Sequence, residues 1–340
     1  MAKARAIVKR RKAVRNTRKI TKTMQMIATA KFQKSLKRAV GTKPFTYKVR
    51  ELVADLVESV GEFQHSLIAS QDRPRSGKSI VLVIAGNRGL AGAYNGNVLR
   101  HAIRFLRTLE AYGDQIEIQT AGKKAYSYFA FQKRNVAIRH DPLAEAQSFP
   151  DIRALADRFM AQYTAGEVDA VYVVYMNFIT TGVQKPELLK LLPLAGPREA
   201  SEHLALQSRE GEAADEKLGG GAAAVEVAKV EAQLHARGQL QQTLSEEHKH
   251  DAERLMYELM PSAKDLLDEL LPITVRTTLF QCFMDATTSE NVARMVSMKA
   301  ATDNADKMIK LLTMQYNRAR QSQITTELSE IMGGVDAMKK

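Results

Sequence analysis

The sequence predicts a protein of mixed α and α/β architecture, in which long N- and C-terminal helices pair as an antiparallel coiled coil joined to a doubly wound α/β domain. Three observations support this prediction. Residues 3–40 and residues 277–331 contain neither Gly nor Pro, and strands alternate with helices between these two segments. Two long helices that flank one domain can most simply pair with each other in opposite directions.

Size and cysteine usage exclude several classes of protein. The chain has 340 residues, is 45% hydrophobic and contains a single cysteine, Cys282, so it is not a small disulfide scaffold or a Cys-based zinc protein. No apolar stretch approaches the ~20 residues that span a bilayer, and no leader peptide opens the chain. We therefore expect a folded chain in a reducing compartment that neither crosses a membrane nor is exported by the Sec pathway.

Positive charge is concentrated at the N-terminus. Residues 1–50 contain 17 Lys and Arg and no Asp or Glu, whereas the whole chain carries +12, which leaves −5 for the remainder. Such a segment is typical of a chain that binds nucleic acid, an anionic membrane surface or an acidic protein, although a solvated basic tail has the same composition.

The basic segment also has the periodicity of a helix, which a simple tail would lack. Apolar or small side chains recur at intervals of three, four and seven residues, at Ile7, Val14, Thr17, Thr21, Met24 and Ala28. Ile20 and Ile27 are expected to widen this stripe. Gly41 and Pro44 predict a kink or break before a second amphipathic stretch that completes an N-terminal coiled-coil segment over residues 1–60.

Residues 78–195 are predicted to form the α/β domain. The β-branched runs that predict its strands are Ile80–Ile84, Ile116–Thr120 and Val168–Phe178. Helical stretches begin at Tyr94, Lys123 and Ile152, so the strands should lie parallel in a Rossmann-like arrangement. Residues Lys185 to Leu194 could add one more strand.

Two glycine-containing segments resemble phosphate-binding loops, but neither has the required spacing. Gly77-Lys78-Ser79 precedes its strand instead of following it, and the glycines of Gly86–Gly92 are separated by too many residues for a dinucleotide fingerprint. The seven His residues show no metal-ligand spacing. We therefore predict no catalytic residue, no cofactor and no metal in this chain.

The last third of the chain changes character twice. Residues 196–250 are predicted to form a polar insert rich in Glu and Ala. Residues 251–275 are predicted to return to the α/β domain with a short helix that ends near Pro272. Residues 276–340 are predicted to form the C-terminal coiled-coil helix, which we expect to end at Gly333 and Gly334. The helix carries a seam with three-four spacing, composed of Met295, Met298, Thr302, Ala305, Ile309, Leu312, Tyr316, Ala319 and Gln323.

Four segments give the chain a clear resemblance to a known family. The runs Arg15–Lys31, Gly86–Gly92, Ala293–Asn304 and Tyr316–Ile331 are similar to the corresponding segments of gamma subunits of F-type ATP synthases. The likeness extends over roughly residues 1–194 and 255–334 and is most specific near the C-terminus.

The resemblance implies a central rotary shaft. The paired helices would stand inside a head of alpha and beta subunits, three copies of each, while the α/β domain forms a foot on the epsilon subunit and on a membrane ring of c subunits. Ion flow would turn the shaft, whose asymmetry moves the catalytic sites of the head through their conformations. The chain itself would have no catalytic site and would lie peripherally at the cytoplasmic face of a bacterial inner membrane.

The resemblance also implies contact residues. Met24, Arg320, Gln321, Thr325 and Glu327 match positions that touch the head. Tyr257 and Glu258 match the foot segment that faces the membrane ring and epsilon, although Leu259 replaces the usual proline. The insert has no cysteine pair for a thiol switch, so we expect it to extend the foot.

Rival functions remain open from the sequence. The strongest alternative is a basic coiled-coil protein that binds nucleic acid, because a basic helix can follow a phosphate backbone. A nucleotide-dependent enzyme is disfavoured by the glycine spacing. A mitochondrial presequence could explain the basic start, but family-like residues begin almost at Met1.

Overall fold

A computed structural model describes residues 2–60, 65–68, 76–145, 148–194 and 263–338. The insert at 196–250 and the residues Tyr257 and Glu258 lie outside the described residues. The helices are α1 (Ala2–Val60), α2 (Tyr94–Ala111), α3 (Lys123–Phe131), α4 (Phe149–Thr164) and α5 (Ala263–Met338). The strands are β1 (Lys78–Ile84), β2 (Gln115–Ala121), β3 (Ile138–Arg139), β4 (Ala170–Phe178) and β5 (Gln184–Leu192), and a short 3₁₀ helix covers Asp141–Ala144.

Contacts divide the chain into two compact units. One unit consists of Met1–Ser35, Arg88–Tyr94 and Glu290–Lys340 and is referred to as the helical unit. The other consists of Leu36–Asn87 and Asn95–Ser289 and contains the sheet, so it is referred to as the sheet unit. Each unit combines segments that are distant in sequence, as expected if the two ends of the chain fold against each other.

Helix α1 is continuous through Gly41 and Pro44, so the predicted break does not occur. Buried side chains on both sides of these residues, Ala39 and Val49, keep the segment packed within the sheet unit. The Thr42 hydroxyl lies 3.1 Å from the Ala39 carbonyl and 2.9 Å from Gln281 Oε1 on α5. Tertiary packing of this kind overrides the helix-breaking tendency of Gly and Pro.

The sheet has the strand order β3-β2-β1-β4-β5. Strands β1 to β4 are parallel, as predicted, whereas β5 pairs antiparallel with β4. The additional strand expected at residues 185–194 is present as β5, and its direction, which the sequence did not assign, is opposite to that of β4. The chain between β4 and β5 is too short for a helical crossover, so β5 can only return as a hairpin. Pro186 lies in β5, an edge strand, where a missing backbone N–H is tolerated.

Alternate side chains of the central strands pack on opposite faces of the sheet. Ile80 and Leu82 of β1 belong to a core that includes Phe159 of α4 and Phe283 of α5. On the other face the ring of Tyr172 in β4 meets Phe105 of α2 edge to face, with 4.8 Å between ring centroids. The sheet is thus covered on both faces, as the doubly wound prediction requires.

Helix α5 begins earlier and ends later than the sequence suggests. It is continuous through Pro272, where a short helix was expected to end, because Leu271 and Val275 are buried in the core of the sheet unit. It also continues past Gly333 and Gly334 to Met338. Glycine costs a helix only about 1 kcal/mol, which an established helix can absorb.

A partly buried polar cluster lies between the sheet and α4. His140 Nε2 donates to Gln119 Oε1 at 2.9 Å, and Arg158 Nη2 donates to the same oxygen at 3.1 Å. Gln119 is fully buried, so these two bonds satisfy an oxygen that has no access to water. Burial, followed by the neighbouring Arg158 charge, lowers the pKa of His140 from 6.5 to about 4.

Candidate functional site

The two terminal helices run antiparallel in the helical unit. The Arg11 guanidinium lies over the Tyr316 ring, 5.1 Å from its centroid. Arg18 Nε donates to Asp306 Oδ1 at 2.5 Å. Further along, Thr302 Oγ1 donates to Thr21 Oγ1 at 2.8 Å. Because residue numbers rise along α1 while those of their partners fall along α5, the predicted antiparallel pairing is confirmed.

The seam between the helices consists of small and medium-sized side chains. All nine seam residues predicted on α5 are buried or partly buried, with Met298, Thr302, Ala305 and Leu312 the most deeply buried. On α1, Thr21 and Ala28 are buried. Ile20 and Ile27, which were expected to widen the stripe, are instead 61% and 53% exposed. The seam is therefore narrow, as in a two-helix coiled coil.

The C-terminal end of α5 extends past the start of α1. Since Arg11 is opposite Tyr316, the first residues of α1 lie level with roughly residue 325 at the same rise per residue. Beyond this point the described side chains of α5 are exposed. Ile324, Leu328, Ile331 and Val335 recur there at intervals of four, three and four, which places them on one helix face. We call these four residues the apolar end of α5.

Four of the predicted contact residues lie at or next to the apolar end of α5. Arg320, Gln321, Thr325 and Glu327 are all exposed. Thr325 Oγ1 donates to the Gln321 carbonyl at 3.0 Å, and Glu327 accepts a hydrogen bond from Gln323 Nε2 at 2.8 Å. The hydroxyl of Thr325 and the carboxylate of Glu327 are thus held along the helix, while Arg320 and Gln321 project into solvent.

Met24 belongs to a separate part of the helical unit. Its side chain is partly buried, three residues from Thr21, and so lies near the level of Thr302. Arg320 is 18 residues further along α5, or about 27 Å at the rise of an α-helix. The structure therefore does not bring Met24 together with the other predicted contact residues.

The helical unit contains one further cluster, at the turn Arg88–Tyr94, which we call the docked turn. Arg294 of α5 donates to the Gly89 carbonyl from Nε and Nη2, both at 3.4 Å, and forms an ion pair with Glu290. The side chains of Arg294 and Glu290 are only 13% and 11% exposed. Burial, followed by the Glu290 charge, raises the pKa of Tyr94 well above its usual value, and the Arg294 charge acts in the opposite direction.

The docked turn approaches α5 closely at a second point. Gly92 has a φ of +54°, and a Cβ at this position would lie 2.6 Å from Ser297 Oγ. Glycine is therefore favoured here by its backbone conformation, and a larger residue would have to displace the Ser297 hydroxyl. The sequence predicted a tight turn at Gly86–Gly92 but gave no indication of what it touches. The i, i+4 spacing of Glu290 and Arg294 was the one available signal of an ion pair.

Other kinds of site find no support in the described ranges. Within these ranges, no group of three or more His, Cys, Asp or Glu side chains is arranged to hold a metal ion. Across the same part of the chain, no helix is both long enough and apolar enough to cross a bilayer.

Sequence comparison relates the chain to a known family over nearly its whole length. The family described as ATP synthase matches residues 3–338. The chain is 35% identical to the ATP synthase gamma chain of Rhodopirellula baltica, with 100% of both chains covered. It is 34% identical to the ATP synthase gamma chain of Leptospira biflexa, over 99% of this chain and 100% of that protein.

Comparison with solved structures supports the same fold. A chain in the Euglena gracilis mitochondrial ATP synthase OSCP/F1/c-ring structure, rotational state 3, is similar with a TM-score of 0.55 and 18% identity, covering 99% of this chain and 95% of that one. A chain in the rotor of the same enzyme, rotational state 1, has a TM-score of 0.51 and 15% identity, with 95% and 99% covered. Helical ends joined to an α/β domain are therefore a known arrangement.

Proposed function

Because the chain belongs to the family of ATP synthase gamma chains, we propose that it works as the central rotary shaft of a proton-translocating ATP synthase. Rotation of a ring in the membrane would turn the chain, and its asymmetric surface would drive the nucleotide sites of the surrounding head through successive conformations. The observation that carries this proposal is the full-length identity of 35% to a curated gamma chain. The alternative of a nucleic-acid-binding protein has no support from the comparisons.

The helical pair has the properties that such a shaft needs. Two helices that pack along a shared seam resist bending better than either would alone, and the Thr21–Thr302 and Arg18–Asp306 contacts fix their register. The apolar end of α5 presents a stripe that nothing in the described chain covers. In this function the stripe would be enclosed by the alpha and beta subunits, with low-friction apolar contacts all around it.

The contact residues follow from the same proposal. Arg320 and Gln321 are exposed immediately before the apolar end of α5, where they can reach acidic and polar groups of the head. Thr325 and Glu327 would make further contacts in this region, and Met24 would face the lower part of the head. Tyr257 and Glu258 would belong to the foot that meets epsilon and the ring of c subunits.

We propose that the chain has no catalytic site of its own and contributes to ATP synthesis only as a subunit. Its place would be peripheral, on the cytoplasmic face of a bacterial inner membrane, in keeping with the bacterial origin of the relatives. The segments 1–60, 78–195, 196–250, 251–275 and 276–340 would serve as first shaft helix, foot, insert, foot return and second shaft helix.

Affinity purification tests the proposed assembly. A tag on the full chain should recover three copies each of two nucleotide-binding subunits and one epsilon subunit for every copy of this chain. Recovery of nucleic acid, or of the chain without those subunits, would contradict the proposal. A second preparation with residues 200–248 deleted tests the proposed role of the insert as an extension of the foot. Unchanged assembly, ATP hydrolysis and proton pumping would contradict that role.

A further inference from the structure

The docked turn is continuous along the chain with β1 on one side and α2 on the other, yet it belongs to the helical unit. It is fastened there by side chains from one face of α5, since Glu290, Arg294 and Ser297 are spaced four and three residues apart. The turn therefore has two attachments, the chain that continues into β1 and α2 and the side chains of α5.

We propose that Arg294 is a positioning residue that holds the docked turn against α5, so that torque is transmitted between the turn and the helix. The proposal rests on the proposed function as a rotary shaft. It concerns a contact inside this chain, and it is independent of the contacts that the shaft makes with the head.

The chemistry of the contact suits this role. Glu290 alone would satisfy the charge of Arg294 within the helix, but the guanidinium has further N–H groups, and two of them point to the Gly89 carbonyl. A planar, forked donor can hold a carboxylate and a carbonyl at the same time, whereas a lysine ammonium at the same place offers a single point charge. Low exposure strengthens these bonds and keeps water from replacing them.

The second point of contact supports the first. At Gly92 the backbone approaches Ser297 so closely that a side chain would collide with the serine hydroxyl, whereas the Cβ of Ser297 lies 3.9 Å from the same position. Tyr94, 4% exposed, ends the turn beside Glu290 and Arg294. The turn is thus bonded to α5 at Gly89 and lies close to the same segment of α5 at Gly92.

Two sets of variants test the proposal in the assembled complex. Arg294→Lys keeps a positive charge beside Glu290, which avoids leaving a buried carboxylate alone, but it removes the fork. Gly92→Ala pushes the turn away from α5, and Ser297→Ala added to it removes the colliding hydroxyl. Ser297→Ala alone is the matched control and should behave as the unchanged chain.

Hydrogen exchange of the backbone amides measures directly how firmly the docked turn is held against α5. In Arg294→Lys the backbone amides of residues 88–94 should exchange about tenfold faster, because a hydrogen bond to a charged group is lost, while amides around Thr302 stay unchanged. Gly92→Ala should show the same acceleration, and Ser297→Ala should partly reverse it. Unchanged exchange in the turn would overturn the proposal whether or not the chain is a rotary shaft.

Coupling reports on the function of the fastening. In membrane vesicles, Arg294→Lys should lower the ratio of ATP-driven proton pumping to ATP hydrolysis, while the rate of hydrolysis itself is retained. A merely structural role would lower the amount of assembled complex and leave this ratio unchanged, which would overturn the proposal. Failure of the unchanged chain to couple hydrolysis to pumping would instead contradict the proposed function.

Discussion

Thr302 donates a hydrogen bond to Thr21 across the helical pair, with 2.8 Å between two hydroxyl oxygens that are both buried. Polar side chains in a coiled-coil seam set the register of the helices at some cost in stability, and here the two partners satisfy each other. Each hydroxyl also lies near a carbonyl of its own helix, at Arg18 for Thr21 and at Met298 for Thr302. The contact therefore fixes which residues face each other along the seam.

Replacing these threonines by valine should reveal the coupling between them. Thr302→Val should destabilise the helical pair by about 1 kcal/mol, because it removes the shared hydrogen bond. The double variant Thr21→Val/Thr302→Val should lose less than the sum of the two single variants, since both remove the same bond. Hydrogen exchange of the α5 amides around Thr302 measures each change. Strict additivity would show that the two hydroxyls act independently.

The ion pair between Arg18 and Asp306 should matter far less. Both side chains are 44% exposed, so water screens their attraction even though Arg18 Nε lies 2.5 Å from Asp306 Oδ1. Asp306→Asn should change the stability of the helical pair by less than about 1 kcal/mol, and added salt should remove the difference. The same hydrogen-exchange measurement at low and high salt checks this. A larger loss that persists in high salt would be inconsistent with an exposed pair.

Acid should destabilise the sheet unit through His140. Its pKa is lowered from 6.5 to about 4, chiefly by burial and then by Arg158, with Asp141 acting in the opposite direction. Between these two pH values the imidazole of His140 is protonated in the unfolded chain but neutral in the folded chain. The free energy of unfolding is therefore highest above pH 6.5 and falls as the pH drops toward 4.

The variant His140→Gln should flatten that dependence. Denaturation midpoints of the two chains, measured by circular dichroism across the same pH range, should converge as the pH falls. Parallel curves for the two chains would mean that His140 does not titrate in this way.

Arg320 and Gln321 should matter for coupling and not for folding. Both are exposed on α5, and replacing exposed side chains usually changes stability by less than about 0.5 kcal/mol. The variant Arg320→Ala/Gln321→Ala should therefore fold and assemble, yet synthesise ATP more slowly than the unchanged complex. Lys307→Ala, also exposed on α5, serves as a control for loss of a positive charge. Normal synthesis by the double variant would contradict the proposed contacts.

Much of the fold could be predicted from the sequence because hydrophobic periodicity is a local signal. The nine seam residues of α5 and the three main strands were identified correctly from spacing alone. The positions at which helices end or are interrupted were predicted less well. Gly41, Pro44 and Pro272 have a strong local tendency to end helices, but the buried residues around them belong to a core assembled from distant segments, which local patterns do not reveal.

The candidate site, like the fold, could be predicted from the sequence only in part. Exposure of Arg320 and Gln321 agrees with their predicted role at a surface, whereas the function of that surface came from family resemblance and could not have come from spacing. The contact of Arg294 with the docked turn was missed entirely, because it joins residues 205 positions apart and depends on a glycine backbone that has no side chain to follow. Only tertiary structure brings such partners together.

Rotation of this chain inside its head is the most direct measurement of the proposed function. Cys282 is the single cysteine and is buried, so Tyr112→Cys, at a position that is 81% exposed, would provide a unique attachment point for a visible probe. With the head fixed to a surface and ATP supplied, we expect the probe to turn stepwise in one direction. A probe that stays still while the same molecules hydrolyse ATP would contradict the proposal that this chain is the shaft.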